Sequence, residues 1–253
     1  MHTMAPGSEW VGLIGASEPS GGRVAATGQW HLTLFLAAWR QVGHLMTTGE
    51  LRCELPVTRD ELTEWMDRLS AYQQVRFTVA TVTERHVELS ALQPFASDDE
   101  LTAVAQRLQA PLFLNTERFG ALRLERAYDW YQGVADWQGH QVELTLTCDA
   151  PEQADRSLAI AEALYADQLR WTHEVLTCAV KQLLPLKNDD WLETDEAPLT
   201  GNQFTARLKL KTLAVRPTGH FTFWFNDGDL FGGHDVTISG TLEKGCTHAD
   251  IVG

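Results

Sequence analysis

The feature that most limits how this chain can fold is a period-two alternation of apolar and polar residues, recurring in short runs along its length. Successive side chains on a strand point to opposite faces, so each run reads as a strand with one face toward a core. In 74–80 the inward set is Val75, Phe77 and Val79, and in 86–92 it is Val87, Leu89 and Ala91. The short link at 82–85 makes these two a hairpin. Leu122 and Leu124 share a face in 119–126, 127–137 follows with aromatic character, and Val142, Leu144 and Leu146 alternate in 141–148. Those three runs form a meander. A second three-stranded meander is expected from 204–214 (Ala206, Leu208 and Leu210 inward; Arg207, Lys209 and Lys211 outward), from Phe221, Phe223 and Phe225, and from Val236, Ile238 and Leu242. The apolar run at 30–46 has no decisive period, 51–55 reads as a short strand, and the Gly/Ser/Pro-rich 16–29 reads as a loop.

Helices interrupt this pattern at recognisable start signals. Thr58 and Glu61 form a capping box ahead of Leu62, Trp65, Met66 and Leu69, which predicts a helix over 59–71. Ser97 and Glu100 form another, followed by Leu101, Val104, Ala105 and Leu108, with Pro111 as a stop. Asp149, with Pro151 and Glu152, opens a long helical pattern that runs through Leu183 and ends before Pro185. It is one helix of about thirty residues, or two with a break near Asp167, against a usual length of ~11–12. The stretch 185–201 then reads as a loop. The fold class is α+β, in two modules at 1–117 and 118–253. Each is an antiparallel sheet packed with helices, the second with one long helix between its two three-stranded meanders. Charge supports the division: all five lysines follow residue 118, and the net charge is −5 before it and −9 after.

The total of −14 repels phosphate backbones, argues against nucleic-acid binding and favours a basic protein partner. Cys53, Cys148, Cys178 and Cys246 are too widely spaced for a zinc knuckle or a disulfide framework, which points to reduced thiols in a cytoplasmic protein. The first residues show no signal peptide, and no apolar run is long enough to span a bilayer.

The runs FGALRLERAYDWYQG (119–133), LLPLKNDDW (183–191), FTFWFNDGDLFGGHDVTISGTLEKG (221–245) and ADIVG (249–253) resemble the bacterial family called domain of unknown function 2262. That resemblance covers about 118–253. It implies a bacterial origin and a domain type, and no catalytic residue.

The stretch 221–235 poses the main functional question, with three aspartates, a histidine and three glycines. Its acids lack the spacing of a calcium loop. Asp227-Gly228 instead signals a hairpin turn, and a metal would need His220, Asp229, His234 and Asp235 to converge. His173-Glu174 lacks a second histidine at i+4, so it reads as a solvated helix face paired with Arg170. Lys187-Asn188-Asp189-Asp190-Trp191 reads as a helix stop whose polar cluster could hold a ligand. Trp130, Trp137, Trp191 and Trp224 could gather into a patch. No nucleophile elbow, phosphate loop or dinucleotide fingerprint is present in the sequence, which argues against an enzyme and gives no reason to expect a cofactor. The expected function is an acidic cytoplasmic protein-binding module, in its specific form a bacterial immunity protein that neutralises a toxin. Its binding residues would be Trp224, Asp227, Asp229 and Asp235, with Asp189 and Asp190 alongside. The alternative is a metal- or ligand-binding domain, or an enzyme, using the 220–235 loop. Nothing in the sequence sets the oligomeric state.

Overall fold

The computed structural model describes residues 4–25, 27–95, 97–148, 153–194 and 196–253. The chain is α+β and divides into two compact units, Met1–Pro111 and Leu112–Gly253. Among the described residues no helix is long and apolar enough to cross a membrane.

The first unit is built on β1 (Glu9–Ile14), β2 (Ser20–Arg23), β3 (Trp30–Arg40), β4 (Thr47–Val57), β5 (Gln74–Val82) and β6 (Val87–Pro94). β1 pairs with both β5 and β3, so β1–β3–β4–β6–β5 closes into a ring with β2 added beside β3. β4 and β6 run parallel and the other pairs antiparallel, so the expected all-antiparallel sheet is not what forms. This ring is a five-stranded Greek-key barrel of the oligonucleotide/oligosaccharide-binding type. Its interior is filled from alternate strand positions, including Leu32, Leu34, Leu36, Val75, Phe77, Val79, Val87 and Leu89. The irregular 30–46 run is β3, and the 16–29 loop contains β2. Ala91 is exposed and Leu92 buried, because the β5–β6 register shifts.

Helix α1 (Arg59–Arg68) joins β4 to β5 and opens with the expected capping box. None of its residues is fully buried. Leu62 lies over β2 so closely that a Cβ on Gly21 would come within 2.3 Å of it, and glycine there lets the helix sit down. Helix α2 (Asp99–Gln109) is capped by Asp98 rather than Ser97. One Asp98 oxygen accepts from the Glu100 and Leu101 amides at 3.1 Å, and the other meets Arg40 of β3 at 2.6 Å. Leu101 and Val104 then pack on Val11, Leu13 and Ala38, outside the ring.

The second unit is one eight-stranded sheet. Its strands are β7 (Phe113–Thr116), β8 (Gly120–Glu125), β9 (Trp130–Trp137), β10 (His140–Thr147), β11 (Lys209–Val215), β12 (His220–Asn226), β13 (Asp235–Thr241) and β14 (Gly245–Val252). Two meanders of four strands, not three, are joined by a parallel β10–β11 pair. β7 pairs with β8, so residues 113–116 belong to this sheet. The crossover between β10 and β11 carries α3 (Ala154–Ala166), α4 (Gln168–Asp190) and α5 (Gly201–Arg207). α3 packs on β10 and β11, and α4 on β13 and β14. The helices bury the face that presents Leu144, Leu146, Leu213, Phe221, Phe223 and Ile238.

Three expectations fail here for physical reasons. Pro185 lies inside α4, whose buried Val175, Cys178, Ala179, Leu183 and Lys187 carry the helix past it. A proline interrupts one helical hydrogen bond at about 3 kcal/mol, which burial of this face outweighs. The segment 201–207 is helix rather than strand, started by a Thr200/Gln203 capping box. Ala206 is exposed on that helix, and a register shift between Leu210 and Thr212 then reverses the inward parity of the strand, so Leu213 and Val215 are buried. Leu242 sits in the turn after β13 and is exposed. The break at Asp167 is present, and its side chain accepts from the Arg170 amide to start α4. The proposed cap at Asp149, Pro151 and Glu152 lies outside the described residues.

Candidate functional site

The loop 227–234 joins β12 to β13, whose ends pair at Asn226 and Asp235. It is an eight-residue loop rather than a two-residue hairpin turn, and it is organised around a carboxylate. Asp227 is 1% exposed. It accepts from the backbone amides of Phe231 at 2.7 Å, Gly233 at 3.1 Å and Asp229 at 3.3 Å. Those bonds draw Leu230 and Phe231 into the core, at 1% and 0% exposure. Gly228 has φ +58°, and a Cβ there would stand 2.4 Å from the Arg207 carbonyl oxygen, so glycine is required for the loop to close on α5.

The candidate acids therefore separate. Asp227 is an internal strut. Asp235 is taken by Lys211, whose Nζ reaches its two oxygens at 2.6 and 2.7 Å. Asp229 alone of the three projects exposed from the loop, at φ +63°. Asp189 and Asp190 are exposed in the last turn of α4. Trp191, 37% exposed, follows them and packs edge-on against Phe231 and His234 at centroid distances of 5.6 and 5.8 Å. Trp191 thus joins the helix end to the loop. Trp224 faces the other way: it is half-buried between Thr212 and Thr237, on the sheet face opposite Phe223 and Phe225. It shares that face with Asp235, and the sheet separates it from Asp189 and Asp190. Trp137 lies in the core at 4% exposure and donates to Thr172 Oγ1, so it joins no surface patch.

Lys187 holds the helix end in place. It is 1% exposed. Its Nζ donates to the Trp191 carbonyl at 2.6 Å and to Glu196 Oε2 at 2.5 Å, and Arg207 approaches the other Glu196 oxygen at 3.4 Å. The ammonium beside Glu196 holds that carboxyl below its ordinary range. Asn188 and Leu199 exchange two further hydrogen bonds, of 3.0 and 2.8 Å, across the returning chain. Leu192, Glu193, Thr194, Glu196, Arg207 and Asp229 surround an open cavity of about 740 Å3 beside Trp191.

The metal alternative fails on placement. His220 pairs with Thr241 at the far end of β12 from the loop, His234 bonds the Phe231 carbonyl, and Asp235 is held by Lys211. Among the described residues no group of three or more histidine, cysteine or carboxylate side chains is placed to hold a metal ion. Burial pushes the Cys53 and Cys246 thiols up to about 12, which makes those two poor nucleophiles.

The first unit holds a cluster that sequence reading missed. On the outer surface of β3 and β4, Glu54 is 8% exposed. Its Oε2 meets His31 Nδ1 at 3.2 Å and His86 Nε2 at 3.4 Å, and its Oε1 meets Arg52 at 2.5 Å. Burial alone would raise the Glu54 carboxyl; His31, His86 and Arg52 outweigh it and hold the group below the ordinary carboxylate range. Arg52 and Glu54 share a face of β4 at i, i+2, but His31 and His86 come from another strand and a turn, and no local spacing links them to that pair.

Comparison with known proteins follows the two-unit division. Residues 4–108 match a domain of unknown function, DUF7021. Among solved structures, the small single-stranded DNA-binding protein of Streptomyces coelicolor aligns over 36% of this chain and 94% of its own, at 14% identity and a TM-score of 0.25. No curated protein matches. Residues 116–251, more than half of the chain, match the model described as an uncharacterized protein conserved in bacteria (DUF2262), and the chain belongs to that family.

Proposed function

We propose that this chain is a protein-binding module whose second unit engages a basic partner through the end of α4. One observation carries the reading: Asp189 and Asp190 are exposed at the helix C-terminus, directly before the exposed ring of Trp191. The helix carbonyls there already bear partial negative charge, so two acids cost folding energy and deepen a negative potential. Asp229 and Glu193, also exposed, line the open cavity formed by the segment that follows Trp191. A tryptophan fixed by Phe231 and His234 and bordered by acids has the form of an interface anchor with steering charges. A bacterial immunity protein that masks a toxin is the specific form of this reading. The anchor becomes Trp191, and Trp224 leaves the surface.

Capture of partners from a bacterial lysate, followed by binding kinetics at two salt concentrations, tests it. We expect a basic partner, an on-rate that falls with salt and with Asp189→Lys/Asp190→Lys, and an off-rate that rises with Trp191→Ala. A captured partner insensitive to all three changes would overturn the assignment of this surface.

The Glu54 cluster favours a second reading, a polar ligand on the outer face of the barrel, where barrels of this type bind oligonucleotides or oligosaccharides. A glycan array probed with the full chain and with Glu54→Gln checks it; equal silence from both would remove it.

A further inference from the structure

The two edges of the eight-stranded sheet are finished differently. β14 is closed by side chains. Glu174 Oε1 accepts from the Cys246 amide at 3.0 Å. Gln182 accepts from the Ala249 amide at 3.0 Å and donates to the Thr247 carbonyl at 3.3 Å. Asp250 accepts from the Ile251 amide at 2.9 Å. Glu174 and Gln182 belong to α4, so the helix that packs on β14 also occupies ladder positions that a further strand would use. An edge covered in this way is closed to strand addition.

β7, at the other end of the sheet, has no such cover. The Leu124 amide donates to the Leu112 carbonyl at 2.8 Å, which fixes the phase of the β7–β8 ladder. Leu112, Leu114 and Thr116 bond toward β8, and the N–H and C=O groups of Phe113 and Asn115 point outward. Among the described residues none bonds those outward groups. Pro111, the next outward position, has no N–H, so the free ladder ends there. Guarded edges carry charges or bulges. This one instead shows Leu112 at 39% exposure and Phe113 at 48%.

The choice of strand follows from the other edge. Pairing of β7 with β14 of another copy would propagate head to tail, and the side chains on β14 prevent it. So short a ladder gives a foreign peptide few hydrogen bonds, whereas a second copy brings its own Leu112 and Phe113 to the contact. What remains is β7 against β7, an isologous contact that closes after two copies. The phase is self-complementary. A two-fold axis through Leu114 sets Phe113 opposite Asn115 of the other copy, and every outward N–H then meets an outward C=O.

We infer that this protein forms a two-fold antiparallel dimer through β7, which joins the sheets of both copies edge to edge. The loop 227–234, between β12 and β13, lies toward the opposite end of the sheet and stays free with Trp191. The contact is small and belongs to the weak class. Sedimentation equilibrium of the full chain, in a series reaching about 0.5 mM, should show monomer and dimer in exchange and nothing larger. Phe113→Lys, at an exposed site, should keep the Tm and raise the dissociation constant by about tenfold or more, because it brings two ammonium groups together near the axis. Asn115→Pro removes an outward N–H and should weaken the dimer likewise. Leu114→Cys should yield a disulfide-linked dimer under mild oxidation, since facing residues in a non-hydrogen-bonded pair stand ~4.5 Å apart at Cα, within disulfide reach. A monomer across the whole series, a dimer indifferent to Phe113→Lys and Asn115→Pro, assembly that continues past the dimer, or Leu114→Cys chains that stay unlinked would overturn the inference.

Discussion

Two buried carboxylates, one in each unit, are solvated in opposite ways. Asp227 is satisfied by backbone amides two, four and six residues ahead of it. Glu54 is satisfied by side chains drawn from β3, from its own strand and from the turn before β6. The first is a local device that shapes a loop and would form in any context that brought β12 and β13 together. The second is complete only after β4 has paired with both β3 and β6. Formal charge read along a sequence therefore says little about surface charge. Of the three acids in 227–235, one is internal, one is neutralised by a lysine, and one is free.

The sharpest test of that contrast is Asp227→Ala. It strands the amides of Phe231 and Gly233, and an unsatisfied buried group costs about 1–3 kcal/mol. We expect a loss of about 3–5 kcal/mol in urea unfolding of the second unit, with loss of amide-exchange protection at Phe231 and Gly233. A loss below 1 kcal/mol would mean that the loop is held by Leu230 and Phe231 packing alone. Gly228→Ala should follow at about 2–3 kcal/mol, since it combines a positive φ with a clash against the Arg207 carbonyl. Its readout is Tm.

Glu54→Gln should cost about 1–2 kcal/mol at neutral pH, because the amide keeps an acceptor and loses the charge. The pH dependence sets Glu54 apart. Its folded carboxyl titrates below its ordinary value. The stabilisation is thus complete above the unfolded value of ~4.3 and is lost as pH falls through the folded one. The Tm gap between the native chain and Glu54→Gln should persist from neutrality into mild acid, where the imidazoles of His31 and His86 gain charge, and narrow below about pH 4. A gap that keeps widening below about pH 4 would reverse the assigned sign. The smallest effect is expected for Asp229→Lys, within about 0.5 kcal/mol of the native chain by the same unfolding measurement. Its consequence belongs to the partner on-rate. A large stability change there would show that the exposed acid also serves the loop.

The same contrast explains what the sequence made legible. Thr58 with Glu61 marked α1, and Val142, Leu144 and Leu146 marked β10, because capping and strand period are local chemistry. The loop at 227–234 was recognisable as a turn, but its length was not, because the Asp227-Gly228 pair imitates a two-residue hairpin. Phe204 to Arg207 alternated by coincidence inside a helix, and the shift after Leu210 reversed parity in a way no periodic reading anticipates. Pro185 lies within a helix that tertiary burial sustains. Lys187 sits one helical turn beyond Leu183, on the buried stripe, and that spacing was the available hint that this lysine points inward. The candidate surface was legible in part: Asp189, Asp190 and Asp229 are exposed, yet Trp191 replaces Trp224 beside them because strand parity places Trp224 on the other face of the sheet. His31, Glu54 and His86 were invisible together, since it takes the β3–β4 and β4–β6 pairings in combination to make them neighbours.

The parallel β10–β11 pair also sets a timetable for synthesis. The first meander ends at Thr147 and its sheet neighbour begins at Lys209, roughly sixty residues later. At a translation rate of ~5–20 residues per second, the hydrogen-bonding edge of β10 waits on the order of 3–12 s for its partner strand to leave the ribosome. During that interval a strand destined for the centre of the sheet behaves as an open edge, the kind that pairs with other chains. Slow codons within the crossover would lengthen the exposure, and aggregation of the nascent chain should rise with them.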